Sequence, residues 1–228
     1  DGSATTLDID PNQVTDVALN PNVAGASVII HEDPDTIIPF FISGEINLST
    51  GVLKVLFSET IDLTPISLVN TSKFSISNVV DGEFVNLFGA IASGFDLPTV
   101  TITLTEAQRV KAIEMSGQPG GDGNAQFLSA DFGAVQDVSR NQLGTNNNVT
   151  LSEVPDTVFP KLVAATINLG TKTVFITLSE TIDSTPKSLV SLSRVSILNA
   201  SDLNGNTLSG GTVQETDDPW RACDCRGR

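Results

Sequence analysis

The chain has 228 residues and a formal net charge of −15, with a pI near 4.2. A surface this acidic repels nucleic acid and anionic membranes and favours cations. With one His, and two Cys confined to the last few residues, the rest of the chain has no disulfide framework and no thiolate or imidazole cluster for zinc. Hydrophobic residues make up 39%, enough for real cores, although aromatics are few. No apolar run reaches transmembrane length, so membrane insertion is not expected in this segment. The chain opens at Asp1 inside a repeat, so the lack of a visible signal peptide says nothing about secretion.

The repeat is the strongest feature. Phe57-Ser58-Glu59-Thr60-Ile61-Asp62-Leu63-Thr64-Pro65 returns as Leu178-Ser179-Glu180-Thr181-Ile182-Asp183-Ser184-Thr185-Pro186, and Glu180 minus Glu59 gives an offset of 121 residues. Residues 1–35 match 122–156 at the same offset: Leu7 with Leu128, Asp16 with Asp137, Asn20 with Asn141, Asp35 with Asp156. Residues 1–35 therefore read as the C-terminal tail of one repeat and 36–156 as a complete repeat. Residues 157–220 read as the incomplete N-terminal part of the next, and 221–228 as a divergent tail. Such internal periodicity implies an array of similar units on very short linkers.

In chain order, 39–48 is a mostly apolar strand and Ser49-Thr50-Gly51 a turn. Residues 52–57 follow as a strand. Its copy alternates at Val174, Ile176 and Leu178, so Leu53, Val55 and Phe57 should face inward. Phe74 and Ile76 alternate with Ser75 and Ser77. Asp81-Gly82 signals a hairpin into 83–91, and Asn204-Gly205 does the same in the next copy. In 99–105, Val100, Ile102 and Leu104 face in and four Thr face out. Thr105-Glu106-Ala107-Gln108 fits a capping box opening a short helix to about Met115, with Val110 and Ile113 on its inner side. Residues 117–123 form a loop, and 127–130, 134–138 and 148–154 supply closing strands. Short alternating strands with one crossing helix favour an all-β antiparallel sandwich, with a closed barrel as the other option.

Two stretches carry a family resemblance. Phe57 to Asp62 resembles the strand end "F-S-E-x-[IV]-[DN]" of bacterial Ig-like domains of the S-layer-protein type. Ala134-Val135-Gln136-Asp137-Val138-Ser139-Arg140-Asn141-Gln142-Leu143 is similar to their "g-V-x-D-x-x-G-N-x-L" motif, with Arg140 (and Leu19 in the first copy) where that family has Gly. The resemblance implies an Ig-like sandwich in an extracellular, surface-layer or adhesive protein, and it brings no catalytic residues. The function expected is a non-enzymatic structural or adhesive spacer whose partners are neighbouring repeats of its own chain. The alternative is a ligand-binding module for polysaccharide, mineral or protein, accessory to an enzyme in one version, which exposed aromatic patches would mark.

The third copy departs from the pattern where the counterpart of Val100 to Leu104 should begin, near Arg221. Its sheet edges are expected to be exposed there unless something covers them. One arrangement consistent with the arithmetic has residues 1–35 completing the half-domain at 157–220. Cys223 and Cys225 read as part of a tail outside the repeat.

Calcium takes six to eight oxygens from Asp, Glu, Asn and backbone carbonyls. Glu59, Asp62, Asp137, Asn141 and Asp156 fall at strand ends or the linker, and Glu180, Asp183, Asp16 and Asp35 are copies. These residues are the calcium candidates, against the plainer reading that acidic loop residues solvate a surface or bond their own backbone. Asp122-Gly123-Asn124 is too short for an EF-hand loop and reads as a turn. His31 aligns with Ser152, so it is not part of the repeated design, and no Ser-His-Asp or Cys-His set can be built within one repeat.

Overall fold

Strands form where the alternation is cleanest, and each turn falls where an Asn, Asp or Gly redirects the backbone. The computed structural model describes residues 4–78, 82–145, 147–198, 205–208, 211–214 and 224–226. The hairpin residues Asp81 and Asn204, and Cys223, lie outside these. The chain divides into two units, Asp1–Ile37 and Ile38–Arg228.

In the first unit, β1 (Thr6–Ile9) and β2 (Gly25–Ile29) form an antiparallel two-stranded sheet in which Leu7 faces Val28. Asn22 organises the loop between them: its Oδ1 accepts from the N–H of Gln13 at 2.8 Å and of Val14 at 3.0 Å.

The second unit begins with β3 (Phe41–Asn47), β4 (Val52–Ile61), β5 (Phe74–Asn78), β6 (Phe84–Asn86), β7 (Ile91–Ser93), β8 (Leu97–Thr103), helix α1 (Glu106–Glu114), β9 (Gln126–Ala130) and β10 (Asn147–Val154). Eight strands run in the order β6-β5-β9-β10-β3-β4-β8-β7. β10 joins two faces. Its first half, 147–150, pairs antiparallel with β9, and its second half, 151–154, pairs parallel with β3. The result is an all-β, sandwich-like fold. Leu53, Val55 and Phe57 of β4, Val100 and Ile102 of β8, Phe74 and Ile76 of β5 and Leu128 of β9 are all buried in one core. Phe57 lies at its centre, its ring 5.3 Å from that of Phe41.

The third copy contributes β11 (Leu162–Asn168), β12 (Thr173–Leu178), β13 (Ser196–Leu198), β14 (Gly205–Thr207), β15 (Thr212–Gln214) and β16 (Asp224–Arg226). The ladders recur at the sequence offset. Ser43 faces Leu56 and Ala164 faces Thr177, and both pairs of strands shift register at the same place. Thr64-Pro65 and Thr185-Pro186 are both cis, and Leu19 and Arg140 both have positive φ, 68° and 72°.

Five expectations need correction. Residues 134–138 make isolated bridges, Ile61 to Asp137 and Gln136 to Gln142, and not a strand. Arg140, in the left-handed region, turns the chain back too soon for a ladder. The expected strand 83–91 is split: β6 ends at Asn86, whose side chain accepts from Phe88 N–H at 2.7 Å. Gly89 at φ 85° then turns the chain into β7, on the far end of the sheet order. The inner side of α1 is Gln108, Arg109 and Ala112, joined by Ile113, which packs half-buried against the core as expected, whereas Val110 is half-buried and not part of that cluster.

The third copy supplies the other two corrections. Val174, Ile176 and Leu178 are half-buried, unlike their counterparts in β4. The edge expected to be open beside β12 is instead taken by the divergent tail. β16 pairs with both β12 and β15 in the position β8 holds in the complete copy. Its register differs by two residues: Val174 faces Cys225 where the repeat would give residue 223. Meanwhile β1 and β2 pair with each other as a sheet of their own.

Candidate functional site

Helix α1 opens with the capping box its sequence dictates. Thr105 Oγ1 accepts from Gln108 N–H at 3.3 Å, and Gln108 Oε1 accepts from Thr105 N–H at 2.8 Å. The Gln108 amide also donates to the carbonyls of Asn86 and Phe88, each at 2.9 Å, fixing the helix over the turn after β6. That anchorage places the next residue, Arg109, at the end of the sandwich, its stem against Gly51, which has φ 66°.

The Arg109 guanidinium is nearly enclosed, with its side chain 7% exposed. Nε and Nη2 grip the two oxygens of Glu106 at 2.8 and 2.9 Å. Nη1 donates to Leu48 O at 2.9 Å and to Asp156 Oδ2 at 2.8 Å. Nη2 also lies 3.6 Å from Glu180 Oε2. Glu106 Oε1 accepts in addition from Thr181 N–H at 3.1 Å. One planar fork thus ties the helix and β3–β4 turn to Asp156 at the linker and to the Ser179-Glu180-Thr181 stretch beyond it. Arg suits this work because its donors are rigidly arrayed and its charge is permanent. Ser49 reinforces the linker, donating to Pro155 O at 3.3 Å and accepting from Thr157 N–H at 2.9 Å.

The three carboxylates respond differently. Hydrogen bonding to Arg109 holds Glu106 below the usual glutamate range. Burial works against the charge on Asp156, but the Val158 N–H, Arg109 and Ser49 outweigh it and its carboxyl is also lowered. Glu180 goes the other way: burial, then the negative charge of Asp156, raise it despite Arg109. Among the described residues its Oε1 is buried with no hydrogen-bond partner.

A folded-state pKa above the unfolded one means that ionised Glu180 opposes folding at neutral pH, an effect that fades as pH falls through the raised value towards 4.5. Glu180→Gln is therefore expected to unfold at the same temperature as the parent or higher at pH 7. The two melting curves should converge as the pH approaches 4.5. A mutant clearly less stable than the parent at pH 7 would show that the Arg109 contact dominates at this residue.

The calcium candidates divide into groups. Asp137 and Asp16 are turn anchors of matching design. Asp137 accepts from Asn141 N–H at 2.8 Å and Nδ2 at 2.9 Å, and Asp16 from Asn20 N–H at 2.9 Å and Nδ2 at 3.0 Å. The Asn20 side chain, more than any other cause, lowers the carboxyl of Asp16. Asp62 and Asp183 cap their own turns through the N–H of Thr64 and Thr185, at 3.0 and 2.8 Å. Asp35 does so through Ile37 at 3.0 Å. Glu59 and Asp137 bring carboxylate oxygens within 4.8 Å of each other. Asp156 and Glu180 meet at Arg109.

Sequence reasoning missed Arg109 and Glu106. The signal present was an acid–base pair three residues apart directly after a capping residue. Asp122 and Asn124 form the expected turn, joined by an N–H bond of 2.9 Å. His31 is exposed beside Asp33. Phe84, Phe88 and Phe95 expose aromatic side chains of the kind expected to mark a binding module. Among the described residues no helix is long and apolar enough to cross a membrane.

No protein-family model matches the chain, and no curated protein does. Among solved structures, it is similar to the N-terminal part of the bacterial S-layer protein SbsC, with 14% identity and a TM-score of 0.35 over 84% of this chain. It is also similar to the S-layer protein rSbsC(31-844), with 15% identity and a TM-score of 0.36 over 82% of this chain. Domains 1-6 of surface layer protein SbsC give 16% identity and a TM-score of 0.35, again over 82%. The chain spans 45% of the first of these and 22% of each of the others.

Proposed function

We propose that this chain is a non-enzymatic structural module: a run of Ig-like sandwiches of an extracellular or cell-surface repeat protein, with boundaries near 35, 156 and 220. Its work is to hold successive units at a fixed spacing. The observation that carries this reading is the Arg109 cluster. A buried cation is committed to Glu106, Asp156 and Glu180, on both sides of the Pro155-Asp156 linker. The short connection between Val154, where β10 ends, and Leu162, where β11 begins, clasped in this way, transmits orientation where a flexible one would only set a maximum distance. The test is the effect of removing Arg109, developed in the Discussion.

Calcium is the ion we propose for the acidic pair of Glu59 in β4 and Asp137 in the turn before Asn141. Glu59 and Asp137 supply hard oxygen donors in proximity, and a cation there would relieve their mutual repulsion. Thermal unfolding of the full chain should then shift upward with added calcium and return with chelator, as binding to the folded state requires. Identical curves in calcium and in chelator would remove calcium from the account.

A further inference from the structure

In the complete copy the first strand and the last are neighbours. β3 opens the copy and β10 closes it, yet they stand side by side at the middle of the order β6-β5-β9-β10-β3-β4-β8-β7, with three strands to either side. They run parallel: Leu151 faces Gly44, Ser152 faces Glu45, Glu153 faces Ile46 and Val154 faces Asn47. Leu48 N–H continues the ladder, donating to Val154 O at 2.9 Å. Packing keys the two strands together as well. Leu151, 5% exposed, lies over Gly44 and takes the space that a Cβ would fill there.

Strand direction decides what this pairing can do. The chain enters the copy at the start of β3 and leaves it from the end of β10. Because the strands are parallel, those two points lie at opposite ends of their shared ladder. Tension along the chain therefore drives β3 and β10 past each other lengthwise, and the bonds between them carry the load together. Neither strand can slide out alone. β3 is also paired with β4 from Phe41 to Asn47, and β10 with β9 from Asn147 to Thr150. An antiparallel first and last strand would bring entry and exit to one end of the ladder, and the same pull would open its bonds one after another.

We propose that the complete copy bears tension: load carried along the chain enters through β3, leaves through β10, and is resisted by shear of the parallel ladder between them. Resistance of this kind is a barrier to rupture, a different quantity from equilibrium stability. The end of β10 is pinned further where Ser49 donates to Pro155 O at 3.3 Å and accepts from Thr157 N–H at 2.9 Å. The load path lies within one copy. It stands or falls apart from the role of Arg109 in orienting one copy against the next.

Single-molecule force spectroscopy on the 228-residue chain tests it by pulling one fold in two directions. Both proteins carry Cys223→Ser and Cys225→Ser. The first takes its handles at Ile38→Cys and Phe159→Cys, exposed counterparts at the 121-residue offset, so the pull runs along β3 and β10. The second takes them at Thr50→Cys, exposed in the turn after β3, and Phe159→Cys. There the pull peels β10 from β3 starting at Val154. The contour released, about 3.3–3.6 Å per residue between the handles, identifies the rupture of this copy. At one loading rate the first protein should unfold at a force at least about twice that of the second, because forced unfolding reads the barrier along the direction pulled. Equal forces, or a lower force in the first protein, overturn the proposal.

Discussion

Arg109→Met lowers the stability of the second unit by about 3–5 kcal/mol, the range for stranding buried charges by removing their partner. Methionine keeps much of the stem volume against Gly51, so the loss comes from the charge and its hydrogen bonds. Three carboxylates, Glu106, Asp156 and Glu180, then face one another without a cation, and Leu48 O loses its donor. The thermal midpoint should fall on the order of 10 °C for a unit of this size. Acid should narrow the gap, because protonation neutralises the stranded carboxylates. Arg109→Lys keeps a charge but offers no planar fork, so it should recover only part of the loss. A midpoint for Arg109→Met within a degree or two of the parent would mean that the cluster is solvated and holds nothing together.

The second large effect is in the core. Phe57→Ala should destabilise the complete sandwich by about 3–5 kcal/mol, through lost apolar burial and the cavity left behind. Phe57 is 1% exposed, and its ring meets Phe41, which in turn lies near Phe74 across the core. Denaturant unfolding followed by two probes would measure the change. Its counterpart Leu178 is only half-buried, so Leu178→Ala should produce a clearly smaller shift. Equal losses at the two positions would contradict the difference in burial between Phe57 and Leu178.

The strands were legible wherever alternation and burial agree. Val100, Ile102 and Leu104 against a row of Thr could be read without ambiguity, and so could the Thr105 capping box, because both depend on residues a few positions apart. The 121-residue offset carried the ladder from β3–β4 to β11–β12 intact. Residues 134–138 misled, because a short stretch carrying Val135 and Val138 reads as a closing strand while the hydrogen bonds that Asn141 gives to Asp137 close a turn. The Arg109 cluster was not legible for a different reason. Asp156 lies 47 residues away along the chain and Thr181 is 75 residues from Glu106, and no local pattern records such distances. The helix face was only partly legible on the same ground: Ile113 packs against the core as expected, but the fold also turns Gln108 and Arg109 inward to serve backbone and carboxylate acceptors. Most calcium candidates hold their own turns, a role that a list of acidic residues does not reveal.

In the proposed function Arg109 fixes the orientation of one repeat against the next. Spin labels at Lys54→Cys and Thr171→Cys, both exposed positions, with Cys223 and Cys225 replaced by Ser, measure the distance distribution across the linker. A narrow distribution is expected in the parent. In Arg109→Met it should be markedly broader, at a temperature where circular dichroism shows the sandwich still folded. Distributions of equal width in the two proteins would contradict it.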